Sequence, residues 1–120
     1  MAVGAPLDAR GVTASFGGVS AHNDVTVAVP PGGFVGLIGP NGAGKTTFFN
    51  LLCGTIPCSS GRVVFKEREI QALPPHRIAR LGVGRTFQIV RPFAELTVIQ
   101  NVLAGLGLRS CRSFVTALGR

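Results

Sequence analysis

Apolar and polar positions alternate over Val12 to Phe16 and again over Val25 to Val29 (VTVAV). That is the two-residue period of half-buried β-strands. The intervening GGVSAHN, residues 17–23, has loop composition and predicts a connection. Pro30-Pro31-Gly32-Gly33 then breaks the chain, and Phe34-Val35-Gly36-Leu37-Ile38 runs continuously apolar between Pro and Gly on both sides. A run of this kind predicts a strand buried on both faces. From Lys45 the period changes, because Phe48, Leu51 and Leu52 recur at helical spacing and Gly54 supplies a stop.

Ser59-Ser60-Gly61 predicts a turn, and Arg62 to Phe65 another short strand. Pro74-Pro75 opens a predicted short helix over His76 to Leu81, since proline fits a first helical turn. Val83 to Phe87 reads as a strand, Arg91-Pro92 as a loop, and Thr97 as the N-cap of a helix running to about Leu103 or Leu106. Residues 108–120 carry no assignable pattern. The predicted class is α/β, on a chain of 120 residues that accommodates one small domain.

Composition supports a folded chain. It is 46% hydrophobic and only 14% charged, which argues against a polar tail or linker. Twelve Lys and Arg stand against five Asp and Glu, a net charge of +7 carried entirely by residues 61–120. The arginines there are dispersed, with no like-charge block and no aromatic interleaving of the kind that stacks bases. A solvated basic face is favoured over nucleic-acid binding, and no nucleic-acid partner is expected. Cys53, Cys58 and Cys111 lack zinc-type spacing and are expected to be small buried hydrophobes. No signal peptide is expected at the N-terminus, and no apolar stretch reaches the roughly 18 residues a membrane span requires.

The chemistry lies in Gly39-Pro40-Asn41-Gly42-Ala43-Gly44-Lys45-Thr46, which fits the phosphate-loop pattern G-x-x-x-x-G-K-[ST] between a predicted strand and a predicted helix. Such a loop forms a concavity of backbone N–H groups for phosphate, with glycines where a Cβ would obstruct. The helix N-terminus adds positive potential. Lys45 is expected to place its charge on the β- and γ-phosphates, Thr46 to offer its hydroxyl to Mg²⁺, and Thr47 to add a phosphate hydrogen bond.

With that loop, the PPGG turn and FVGLI before it, and PPHRIARLGVGRTFQ and LTVIQNVLAG after it, the sequence resembles the ATP-binding subunits of ABC transporters. Within that family it looks most like the branched-chain amino acid (LivG-type) branch. The resemblance covers about residues 10–107. It implies a P-loop NTPase-type nucleotide-binding domain with an N-terminal antiparallel β part, ATP and Mg²⁺ as ligands, and a place on the cytoplasmic, inner face of the cell membrane. It further implies transmembrane permease subunits and a second ATP-binding subunit as partners, with a solute-binding protein acting indirectly. Phe16 of SFGG matches the family's adenine-stacking aromatic; a core phenylalanine is the rival reading. Gln88 matches the Q-loop glutamine that approaches Mg²⁺ and the attacking water, against the plainer reading of a surface amide. His22 and His76 match no catalytic histidine and read as solvated residues.

The departures are as informative. The family's Asp-Glu strand, its Leu-Ser-Gly-Gly-Gln signature and the histidine that follows have no counterpart here, so no complete catalytic set is expected and hydrolysis by this chain alone is expected near background. The expected picture is an N-terminal piece of the domain, truncated before the helical subdomain. A non-catalytic nucleotide-binding remnant or pseudogene product is the alternative. Open sheet edges and uncovered apolar faces are expected to lower solubility.

Overall fold

The computed structural model describes residues 6–105. These residues fall into two compact units, divided between Gly84 and Arg85. The first is built on a four-stranded antiparallel sheet in the order β2-β1-β3-β4, from β1 (Leu7–Phe16), β2 (Val19–Val29), β3 (Ser60–Phe65) and β4 (Arg68–Glu69). Helix α1 (Lys45–Leu52) and the short helix α2 (Pro75–Leu81) follow β2 and β4 respectively.

The predicted loop over 17–23 contracts to a two-residue turn. Gly17 and Gly18 both take positive φ (52° and 84°), which only glycine adopts freely, and the backbone reverses at once so that Phe16 pairs with Val19. β2 therefore begins six residues before the alternating VTVAV segment. The β3–β4 reversal uses the same geometry without glycine, Lys66 and Glu67 lying at φ 47° and 65°. β4 itself is too short to have left an alternating pattern.

The core residues of β1 are Ala9, Val12 and Ala14, so the inward face skips a position. A register shift between Ala9 and Val12, with Gly11 at φ 57°, supplies the extra residue. Gly61 of β3 lies against this bulge so closely that a Cβ would sit 2.3 Å from the Gly11 carbonyl oxygen. Phe48, Leu51 and Leu52 of α1 complete the core with Val63, Ile70 and Ile78, each such side chain stabilising by about 1.5–3 kcal/mol when fully buried. α1 ends as expected, with Cys53 as its C-cap and Gly54 at φ 73° donating its N–H to the Leu51 carbonyl. α2 begins with proline in its first turn and ends at Gly82 in the left-handed region.

Two predicted strands do not form. Residues 33–40 join no ladder, and Phe34 and Ile38 are fully exposed. A strand buried on both faces needs a hydrogen-bonded neighbour and apolar cover on each side; the described residues place no such neighbour beside it, and of its apolar side chains Leu37 packs partly against the core. Val83 to Phe87 likewise joins no ladder, although Val83 packs against the core. Cys53 and Cys58 are half-buried free thiols, short of the full burial expected; Cys111 and all of 108–120 lie outside the described residues.

The second unit contains a helix over residues 98–105. Thr97 caps it as predicted: its hydroxyl accepts from the Gln100 N–H at 3.3 Å while the Gln100 amide oxygen accepts from the Thr97 N–H at 2.8 Å. The two residues form a reciprocal capping box. Asn101 ties the preceding loop to the helix through its hydrogen bonds with Phe93, Leu96 and Thr97.

Candidate phosphate-binding site

Residues 39–47 form an exposed loop that turns into the first turn of α1. The loop is tightened by the Ala43 N–H donating to the Pro40 carbonyl at 3.2 Å, and the helix starts with Phe48 N–H donating to Gly44 O at 2.9 Å. Gly42 and Gly44 stand at φ 85° and 90°. A Cβ at Gly44 would meet the Ala21 carbonyl oxygen and His22 Nδ1, each at 2.8 Å, so the loop sits directly against β2 at a position where a side chain has no room. Gly39 approaches Ala43 Cβ to within 3.3 Å by the same measure, while Gly42 faces open space.

The N-terminus of α1 is uncapped. Gly44 occupies the cap position in a left-handed conformation, no side chain accepts from the first-turn N–H groups, and that turn contains no acidic residue. The intrahelical ladder leaves the N–H groups of Lys45, Thr46 and Thr47 without helical acceptors. Their combined dipole favours an anion by about 0.3–1 kcal/mol at an exposed site. Lys45 folds back over the loop: its ammonium donates to the Pro40 carbonyl at 2.7 Å and to the Gly39 carbonyl. The side chain therefore already spans the loop opening with its charge. An uncapped helix start, a cation and glycines free of Cβ together fit the terminal phosphates of a nucleotide.

Thr46 is exposed and Thr47 half-buried, one and two residues beyond Lys45. Among the described residues, no group of three or more His, Cys, Asp or Glu could hold a metal ion. A divalent cation at this loop would depend on the Thr46 hydroxyl and on oxygens from its ligand. Phe16 ends β1 at the Gly17-Gly18 turn. Gln88 lies in the second unit, exposed on an irregular segment in which the Arg85 guanidinium rests 5.0 Å from the centre of the Phe87 ring. The first unit thus brings Gly39 through Thr47 together in one loop. Gln88 belongs to the other body.

His22 departs from its expected solvated state. Only 8% exposed, its ring stands edge-on to Phe48 (centroids 5.9 Å apart, planes at 83°), with Nε2 buried and without a hydrogen-bond partner. His76 is exposed, as expected.

A family model described as "ABC transporter" matches residues 22–118. The chain is 47% identical over 97 residues to the high-affinity branched-chain amino acid transport ATP-binding protein LivG of Escherichia coli K12, and 50% identical over 97 residues to BraF of Pseudomonas aeruginosa, described in the same words. Each match takes in 81% of this chain and 38% of the relative, so the chain spans under two-fifths of the length of these proteins. A crystal structure of the ADP conformation of an ATP-binding cassette of an ABC transporter superposes with a TM-score of 0.75 at 35% identity, covering 84% of this chain and 40% of that one.

Proposed function

Because the chain belongs to the ABC transporter family, we propose that its 39–47 loop binds Mg·ATP as part of the ATP-binding subunit of an importer for branched-chain amino acids. The single observation that carries this reading is the loop itself, an uncapped helix start with Lys45 folded across it and Gly44 pressed onto β2. Lys45 contributes a point charge to the β- and γ-phosphates, and backbone N–H groups of residues 42–47 distribute hydrogen bonds over their oxygens. Thr46 is the residue of this loop that would hold Mg²⁺, which when bound neutralises phosphate charge. Phe16 is the proposed stacking surface for adenine.

The substrate rests on the names of the LivG and BraF relatives, and the direction of transport on the resemblance to the family's uptake branch alone. The same analogy suggests permease subunits and a second ATP-binding subunit as partners, a solute-binding protein beyond them, and a cytoplasmic position at the membrane face. No described helix is long and apolar enough to cross a membrane. Hydrolysis is assigned to the intact domain pair, since Asp-Glu, signature and histidine elements are absent from these 120 residues. The remnant reading differs only in lacking that pair, and predicts the same binding.

The test is thermal melting of the 120-residue chain with increasing Mg·ATP. A ligand at a hundred times its Kd stabilises by about 2.7 kcal/mol, a rise of about 10 °C or more for a unit this size. A saturable rise is expected; no rise at millimolar Mg·ATP contradicts the reading.

A further inference from the structure

We propose that His22 is a positioning residue beneath the phosphate loop, and that its protonation couples nucleotide affinity to pH. The inference rests on the nucleotide-binding reading above. Three observations carry it. His22 is buried to more than nine-tenths, its Nε2 has no hydrogen-bond partner, and its Nδ1 edge lies against the one loop glycine that tolerates no Cβ. An imidazole so placed has one ring nitrogen free to take or hold a proton without breaking an existing hydrogen bond.

The surroundings offer that proton no counter-charge. On β1, Ala14 faces His22 in the ladder, and the charged residues of that strand, Asp8 and Arg10, bind each other. On α1 the one charged residue is Lys45, whose ammonium is engaged by the Gly39 and Pro40 carbonyls. On β2 itself Asp24 turns away at φ 55°, its carboxylate lying beside Gly11, and Ser20 donates its hydroxyl to the His22 backbone carbonyl rather than to the ring. Phe48 presents only its ring. A phosphate chain bound over Gly44 and Lys45 would supply the counter-charge that these groups do not.

Linkage sets the direction. If bound phosphate favours the protonated ring, binding takes up a proton and affinity rises as pH falls. The ring lies against Gly44, so the proton would sit beside the element that presents the N–H groups.

The experiment is calorimetric titration of the 120-residue chain with Mg·ADP at pH 8, 7 and 6, for the native sequence and for His22→Val and His22→Asn. Protonation of the nucleotide is common to all three and cancels in the ratio. We expect the affinity of the native chain relative to either variant to rise about three- to tenfold from pH 8 to pH 6. In parallel, the NMR titration midpoint of the His22 Cε1–H in the native chain should move upward on adding saturating Mg·ADP, a readout that survives if the variants fail to fold. Saturable binding with a constant ratio, or an unmoved midpoint, overturns the role of His22 while leaving the nucleotide-binding reading intact. No saturable binding at any pH overturns both.

Discussion

Lys45 reaches back across its own loop to the carbonyl of Pro40, five residues earlier, at 2.7 Å. The contact fixes the ammonium over the N-terminus of α1 before any ligand is considered, in a loop whose carbonyls point at the cation and whose first-turn N–H groups have no side-chain cap. A lysine ordered in this way loses less rotamer freedom when it engages an anion than one extended into solvent.

Thr46 provides a selective probe of the metal. Its hydroxyl is exposed and caps nothing, so Thr46→Ala should leave the melting temperature within about 2 °C of the native chain. The tightening of ATP binding by Mg²⁺ should shrink about tenfold, the worth of one hydrogen bond of about 1.4 kcal/mol, while affinity measured in EDTA stays unchanged. An undiminished Mg²⁺ effect would remove Thr46 from the metal site.

Gly61 tests the scaffold without touching the loop. At φ 93°, with Gly11 and Val12 backbone atoms within 2.6 Å of where a Cβ would stand, Gly61→Ala forces β3 away from β1. The expected loss is about 2–4 kcal/mol, read as a fall of about 10 °C or more in melting temperature. Unchanged stability would show that Gly61 does not abut the β1 bulge.

Asp8 and Arg10 give the chain an acid-sensitive contact. The Arg10 guanidinium donates to the Asp8 carboxylate, at 2.7 Å from Nε and again from the terminal nitrogen, and this hydrogen bonding holds the Asp8 pKa below its ordinary value against the opposing effect of burial. A lowered native pKa means that the stabilisation is complete above the unfolded value of about 3.9 and is lost as pH falls through the lowered native one. Urea midpoints measured from pH 7 to pH 2.5 should fall less steeply for Asp8→Asn than for the native chain. Parallel curves would contradict this assignment.

Local signals were readable in the sequence, and signals that depend on distant chain were not. α1 was legible because Phe48, Leu51, Leu52 and Gly54 specify its face and its end within ten residues. The Thr97 cap was legible for the same reason. Phe34 to Ile38 was misread because an apolar run forms a strand only where a neighbour pairs with it, and the described residues place none beside it. His22 was missed because Asp24, in the left-handed region, and the register shift between Val12 and Ala14 break the alternation that Val25 and Val27 establish, leaving His22 as the buried residue of β2. A lone histidine in polar company gave no other sign; only its place in the ladder opposite Ala14 could have exposed it. The turn over residues 39–47 and the start of α1 needed little tertiary information, since the positive-φ glycines and the helix start lie within nine residues.

The most direct test of the central claim is the affinity of the native chain and of Lys45→Ala for Mg·ATP, measured by calorimetry with circular dichroism as the control for folding. Charge-assisted hydrogen bonds worth about 1.5–3 kcal/mol predict a Kd raised about 10- to 100-fold in the variant, with an unchanged spectrum. Equal affinities, or no saturable heat from the native chain, would contradict the account.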